Sequence, residues 1–224
     1  MTETSGAEPF YGESQRSFQD QFDTRRLADV HEAVIVQNLI AEDQREFIQS
    51  RDFFFLSTVD IDGWPSVSYK GGPVGFAKVE DEVTIVFPMY DGNGMFLSAG
   101  NIRASGKVGL LFIDFETPNR VRVHATATVH SDETSIGQFP GASLVVRCRV
   151  ENVFVNCARY IHKHQRVEDS PYVPTPEGAQ LFPKWKRIDL LQDFLPSSDK
   201  GRTAVAGGTI TTEEYAAHLA EGTS

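Results

Sequence analysis

The feature that most restricts the fold of this chain is a strand–loop–helix–strand pattern near its middle. An apolar run at 83–87 predicts a strand, which ends at Pro88 in a loop that contains Gly94. A helical pattern follows at 95–104, and a second apolar strand follows at 108–115. A glycine-bearing loop that leads from a strand into a helix presents free backbone N–H groups, and such groups bind anions. The pattern therefore predicts a phosphate-binding loop.

Composition and charge limit the classes of function. The chain has 224 residues, of which 40% are hydrophobic and 16 are phenylalanine, so we expect one domain with a packed core and extensions. The formal net charge of -10 argues against a protein that coats nucleic acid. No stretch approaches the roughly 20 apolar residues that span a bilayer, and the acidic N-terminus lacks an apolar signal core. We therefore expect a cytoplasmic protein with no membrane or nucleic-acid partner.

Short apolar or alternating runs with tight turns predict the strands. Residues 120–129 alternate strictly, with valines and alanines on one face and arginine, histidine and threonine on the other. Turns such as Asp62-Gly63 connect neighbouring strands directly, whereas a doubly wound sheet needs a helix in every crossover. These features predict an antiparallel barrel. The predicted strands are 53–59, 66–70, 83–87, 108–115, 120–129 and 144–155.

Both ends of the chain lie outside the predicted barrel. Apolar residues recur at helical steps over 17–40, and another helix is expected to begin near Ala41. We expect these helices to cover an end or seam of the sheet; the alternative is a substrate lid. Prolines after Ser170 predict an extended arm, whose Trp185 needs burial on the barrel or on a second subunit. The predicted units are an N-terminal helical extension (1–45), the barrel domain (46–168) and a C-terminal extended arm (169–224).

Four phrases of the sequence, taken in order, resemble a known family. They are FFLSTVDIDGWPSVSYKGG, FPMYDGNGMFLSAGNI, VGLLFIDFETPNRVRVHATA and NCARYI. Together they resemble the FMN-binding split barrel of the pyridoxamine 5'-phosphate oxidase-like superfamily, over roughly residues 47–161. The resemblance implies a mainly β fold, a six-stranded antiparallel split β-barrel with peripheral helices. It also implies a homodimer in which each FMN lies in the cleft between two subunits.

The resemblance implies FMN-binding roles that agree with residue chemistry. An FMN phosphate carries nearly two negative charges and requires cations and N–H donors. Ser68 and Lys70 share one face of a predicted strand, and the loop at 93–95 adds backbone donors. The apolar segment 87–90 would form a floor under the flavin ring, and Arg120 corresponds in position to a polar residue that the family uses near that ring. The nine predicted FMN-binding residues are Ser68, Lys70, Phe87, Pro88, Tyr90, Asn93, Gly94, Met95 and Arg120.

The sequence departs from the oxidase itself at two places. The oxidase carries an Arg–Lys pair after its helix-starting loop, but here no cation follows that loop until Arg103. The oxidase also has a C-terminal tryptophan–arginine motif, which only Trp185 with Lys186 resembles, at a different spacing. These differences predict a relative of the oxidase that acts on a different substrate. The candidate substrate-binding residues are His124, Tyr160 and Trp185.

Three functions are compatible with this sequence. The first is an FMN-dependent oxidoreductase that acts on a small organic substrate, with a nicotinamide or deazaflavin electron donor. The second is a flavin- or haem-binding carrier or sensor without turnover, which the lack of a convincing catalytic acid or base favours. The third is a ligand-free structural barrel. We expect no metal site, because His162 and His164 have no neighbouring residues at metal-ligand spacing.

Overall fold

The computed structural model describes residues 9–223, and its centre is a single antiparallel sheet of seven strands. The strands are β1 (Phe53–Val59), β2 (Pro65–Gly71), β3 (Lys78–Asp81), β4 (Thr84–Met89), β5 (Lys107–Asp114), β6 (Asn119–His130) and β7 (Leu144–Val155). Their order across the sheet is β2-β1-β5-β6-β7-β4-β3. Side chains from every strand except β2 join one buried cluster, because the sheet curls around its apolar face. The structure confirms the predicted mainly β, antiparallel split barrel.

The predicted number of six strands was wrong, because the structure contains a further short strand, β3. This strand has four residues, and Val79 is the one among them whose side chain is buried. The other three are polar, so the segment shows neither an apolar run nor an alternation long enough to predict a strand. β3 pairs with β4, and it leaves β2 and β3 as the two free edges of the sheet.

Helices lie before, between and after the strands along the chain. In the described residues they are α1 (Glu13–Gln21), α2 (Arg25–Ile35), α3 (Glu42–Gln49), α4 (Leu97–Ser105), α5 (Glu133–Ile136), α6 (Arg202–Val205) and α7 (Thr212–Ala220). Three short 3-10 helices lie at Lys184–Arg187, Asp189–Phe194 and Ser197–Asp199. None of the helices in residues 9–223 has the length and apolar character needed to cross a membrane.

The core is built from aromatic rings and β-branched residues on the inner faces of the strands. Phe54 of β1 lies 4.9 Å, centroid to centroid, from both Phe87 of β4 and Phe112 of β5. All three rings are fully buried. Ile48 of α3 and Ile102 of α4 pack against the same cluster, so these two helices are anchored on the barrel. The rigid wall that results holds β4 and the start of α4 in fixed positions.

Of the N-terminal helices, α3 packs on the core through Ile48, but α1 and α2 leave their apolar faces exposed. Their regularly spaced apolar residues keep more than half of their surfaces exposed: Phe18, Phe22, Leu27, Val30 and Val34. The two helices are instead joined to each other by Arg16, whose guanidinium lies 2.6 Å from Asp29 and 3.1 Å from Glu32. The helical pattern predicted over 17–40 corresponds to two helices, which end at Gln21 and Ile35. The periodicity of a helix also does not identify the surface that its apolar face contacts.

Candidate functional site

A cavity of about 1030 Å³ lies on the open side of the barrel, between β2 and the end of β4. These strands are distant in the order of the sheet, and the curl of the sheet brings them to face each other. The loop at 91–96 and the start of α4 close one end. A segment of the C-terminal region, residues 184–199, closes another side and is called the C-terminal strap below. We call this space the β2–β4 cavity.

Strand β2 carries polar side chains on its half-buried inner face and apolar or aromatic ones on its more exposed outer face. Ser66, Ser68 and Lys70 are half-buried on its inner face, whereas Val67 and Tyr69 are exposed on its outer face. Pairing of Val59 with Pro65 across the turn fixes this register. The sequence predicted the alternation, and it is the reverse of the apolar-inside pattern of the other strands. An inward row of hydroxyls and an ammonium indicates a wall that contacts a polar ligand.

Lys70 is the cation at the deep end of the cavity. Its Nζ donates to Ser98 Oγ at 3.3 Å, and the hydroxyls of Ser68 and Ser98 lie 3.1 Å apart. No carboxylate in residues 9–223 pairs with Lys70, and burial lowers the pKa of its ammonium. A partly buried ammonium without a counter-ion is unfavourable, so this arrangement favours an incoming anion.

The loop before α4 orients the first turn of that helix towards Lys70. Gly94 and Phe96 have φ angles of 77° and 51°, which are left-handed conformations. Such a conformation is strained for phenylalanine and recurs at functional sites. Asn93 Oδ1 accepts a hydrogen bond from Met95 N at 3.0 Å, so the predicted Met95 donor is already occupied. The free N–H groups at this end belong instead to the first turn of α4, which contains the buried Ser98.

The opposite wall of the cavity is apolar and aromatic. Pro88 and Tyr90, which were predicted to lie under a flavin ring, both line the cavity. Burial raises the pKa of Tyr90 to about 12, so its hydroxyl stays protonated at neutral pH. Phe87 does not line the cavity, because its ring is fully buried in the core beside Phe54. Trp185 of the C-terminal strap completes this wall.

The C-terminal strap is fixed by a buried ion-pair cluster around Lys186. The Nζ of Lys186 lies 2.5 Å from Asp91 Oδ2 and 2.7 Å from Asp199 Oδ2. Arg202 adds a second cation, at 3.1 Å from Asp199 Oδ1. The side chain of Lys186 is only 3% exposed, so it is held by its two carboxylates rather than by water. The cluster joins the loop before α4 to the strap that covers the cavity.

Besides Phe87, three predicted site residues lie away from the β2–β4 cavity. The Nη2 of Arg120 donates to the carbonyl oxygen of Cys157 at 2.7 Å. His124 lines a separate groove of about 690 Å³ on the outer face of the sheet. Tyr160 is 85% exposed and lines neither space. The structure therefore brings together Ser68, Lys70, Pro88, Tyr90, Asn93, Gly94, Met95 and Trp185 of the predicted residues.

Several polar residues of the cavity were not among the predicted site residues, and the most important of them are Asp91, Ser98 and Lys186. Ser98 follows the predicted loop within the phrase FPMYDGNGMFLSAGNI, and its place in the first turn of a helix was the available indication. Lys186 lies between Trp185 and Arg187 in KWKR, and the one indication of a role was the resemblance of Trp185 with Lys186 to the tryptophan–arginine motif of the oxidase.

A second cavity of about 700 Å³ adjoins the first and shares Tyr69, Tyr90 and Asp91 with it. Two residues of its lining form an ion pair, with Arg51 Nη1 at 2.7 Å from Asp114 Oδ2. Burial alone would raise the pKa of Asp114, but hydrogen bonds from Thr117, Arg51 and the Glu116 amide outweigh burial and lower this pKa to about 2. The charged carboxylate is therefore the form that the folded chain stabilises.

This depressed pKa predicts an acid-dependent loss of stability. The folded pKa of Asp114 lies below the ordinary value of 3.8. Its contribution to the free energy of unfolding is therefore present above pH 3.8 and is lost as the pH falls towards 2. In urea denaturation, the wild type should lose more unfolding free energy over this range than Asp114→Asn. Asp43→Asn, at an exposed position on α3, is the control and should follow the wild type. Parallel pH profiles for all three proteins would contradict the prediction.

The fold and the cavity define a class, a split-barrel protein with a half-buried lysine at the open side of the barrel. A family model described as pyridoxamine 5'-phosphate oxidase matches residues 40–165. The chain therefore belongs to the pyridoxamine 5'-phosphate oxidase family. A search of curated proteins finds no significant match.

Several solved structures are similar to part of the chain. One is a protein of Lactobacillus delbrueckii assigned provisionally to the pyridoxamine 5'-phosphate oxidases, with 31% identity, coverage of 53% of this chain and 95% of that one, and a TM-score of 0.43. HupZ of Group A Streptococcus has 20% identity, coverage of 52% and 93%, and a TM-score of 0.43. An FMN-binding protein of Syntrophomonas wolfei has 13% identity, coverage of 62% and 97%, and a TM-score of 0.39.

Proposed function

We propose that this protein is an FMN-dependent oxidoreductase that binds FMN non-covalently in the β2–β4 cavity and acts on a small organic substrate. The observation that carries the proposal is the half-buried ammonium of Lys70, which has hydroxyl neighbours but no carboxylate partner among the described residues. The family to which the chain belongs makes FMN the anion to test first.

The residues present fit the phosphate end of FMN. Lys70 offers a cation, Ser68 and Ser98 offer hydroxyls, and the first turn of α4 offers backbone N–H groups with the positive end of the helix dipole. These are the donors that a phosphate dianion requires. The cavity of about 1030 Å³ is as large as sites for cofactors and drug-sized ligands, which measure about 300–1,000 Å³.

The chain contributes binding, orientation and exclusion of water around the ring end. Pro88, Tyr90 and Trp185 form the apolar wall against which a planar ring would pack. The C-terminal strap limits the access of water to this wall. FMN, when bound, supplies the capacity for hydride or electron transfer, and a nicotinamide or deazaflavin would serve as its donor.

We further propose that the protein functions as a homodimer. The outer face of β2 exposes 67% of Val67 and 62% of Tyr69, which a second subunit would cover. Arg120 lies outside the cavity of its own chain, so a role beside a flavin ring requires the cavity of a partner subunit. Gel filtration with light scattering tests this, and a stable monomer in the FMN-loaded state would contradict it.

A second candidate function is a flavin- or haem-binding carrier without turnover. The described residues that line the cavity include no histidine, and their one carboxylate, Asp91, is paired with Lys186. The pKa of Tyr90 is about 12, so its hydroxyl does not exchange its proton readily near neutral pH. The cavity therefore has no evident general acid or base among these residues.

Two measurements separate these functions. Freshly purified protein should be yellow, with flavin absorbance bands, and mass spectrometry of the molecule released by heat should identify FMN. Colourless protein that takes up no added FMN would end the FMN proposal. Anaerobic stopped-flow mixing with NADH, NADPH and a reduced deazaflavin should then bleach the flavin absorbance. Tight FMN binding without reduction by any of these donors would favour the carrier.

A further inference from the structure

The charges around the β2–β4 cavity indicate which class of molecule can bind in its second half, the part that lies away from Lys70. Among the described residues that line the cavity, the cations are Lys70 and Lys186, and the one carboxylate is Asp91. Lys70 stands at the deep end, which we have assigned to the FMN phosphate. Any anionic group on a substrate would therefore have to be recognised by Lys186.

Lys186 cannot bind a substrate anion, because its ammonium is already paired with two carboxylates. Its Nζ is in contact with Asp91 and Asp199, and its side chain is 3% exposed. Arg202 lies on the far side of Asp199, so the cluster contains two positive and two negative charges. A phosphorylated substrate would meet a neutral cluster whose cavity-facing carboxylate is Asp91. Placing a dianion against that carboxylate is unfavourable in a partly desolvated site.

The large side chains in the rest of this half of the cavity are apolar, beside the smaller polar side chains of Asn93, Ser143 and Ser198. The loop before α4 contributes Met95 and Phe96, and the strap contributes Trp185, Leu191 and Phe194. Met95, Phe96 and Phe194 keep 63%, 61% and 83% of their surfaces exposed. Large apolar side chains that line a cavity and remain exposed favour a ligand that covers them.

We propose that the substrate side of this cavity accepts uncharged apolar groups and rejects phosphoryl groups, because Asp91 and Asp199 hold the ammonium of Lys186 in a neutral buried cluster. This inference rests on the proposed function, which places the FMN phosphate at Lys70. Asp91 is the specificity-determining residue, since it lines the cavity and its side chain is 45% exposed.

A matched pair of probes tests this selectivity. The fluorescence of 1-naphthol and of 1-naphthyl phosphate gives the dissociation constant of each for the FMN-loaded wild type. We expect 1-naphthol to bind at least about tenfold more tightly. Asp91→Asn leaves the cluster with one net positive charge, so it should increase the affinity for 1-naphthyl phosphate relative to that for 1-naphthol by about tenfold. Asp43→Asn, on α3 and outside the cavity, should preserve the wild-type ratio.

The outcomes separate this inference from the proposed function. FMN uptake is measured by absorbance and tests the proposed function by itself. The ratio of the two naphthyl constants tests the selectivity, and the inference is overturned if the wild type prefers 1-naphthyl phosphate or if Asp91→Asn does not change the ratio. If the protein takes up no FMN, the same ratio is measured in the Lys70→Met background, which lacks the other cation, and the same two results would overturn it.

Discussion

Replacing Lys70 with alanine is expected to weaken FMN binding by about tenfold to 150-fold. A hydrogen bond to a charged group contributes about 1.5–3 kcal/mol, and Lys70 is the cation at the deep end of the cavity that has no carboxylate partner among the described residues. Ser68 and the start of α4 remain in the variant, so binding should be weakened rather than abolished. Titration of apoprotein with FMN, followed by flavin fluorescence, gives both dissociation constants.

Two further variants decide whether the effect belongs to this site. Lys70→Arg keeps the positive charge and should retain most of the affinity. Lys163→Ala removes an exposed lysine from a segment that does not line the cavity, and it should bind FMN as the wild type does. Unchanged FMN affinity in Lys70→Ala would remove Lys70 from the phosphate site. An equal loss in Lys163→Ala would mean that overall charge, rather than a specific contact, controls binding.

The parts of the site that the sequence predicted are those set by local periodicity. Residues two apart on a strand share a face, so Ser68 and Lys70 had to point the same way once β2 was recognised. The Asp62-Gly63 turn fixes the pairing of β1 with β2, but which face of β2 lies inward is known only from the structure. Loop chemistry was equally local, since glycine at position 94 permits the left-handed conformation that the chain adopts there.

The parts that the sequence did not predict depend on contacts between distant residues. Lys186 and Asp91 are separated by 95 positions, and no local pattern connects them. Phe87 lies in a continuous apolar run, which does not show which way its ring points, and only the folded sheet shows that the ring joins Phe54 in the core. β3 was missed for a related reason, because its pairing with β4 rather than its composition makes it a strand.

Substituting methionine for Lys186 is expected to have the largest effect on stability of any change at the cavity. Removing one partner of a buried ion pair costs about 3–5 kcal/mol, because the remaining charge stays buried and unpaired. Asp199 is the charge in question, with a side chain that is 4% exposed. Its contact with Arg202 and the partial exposure of Asp91 offset part of the loss, which favours the lower end, about 3 kcal/mol. For a chain of this size, that corresponds to a fall in Tm of about 6–12 °C.

Arg147→Met provides the matched control, because the ion pair that it breaks is similarly short but exposed. The Nη1 of Arg147 lies 2.6 Å from Glu80, with side chains 44% and 34% exposed, and such pairs contribute about 0–1 kcal/mol. If the strap opens without the barrel, Lys186→Met should accelerate amide exchange at 184–199 and leave exchange in β1 unchanged. Thermal denaturation detects a loss of overall stability, and amide exchange detects opening of the strap alone. A Lys186→Met protein that matches Arg147→Met in both measurements would show that burial of the lysine does not hold the strap on the cavity.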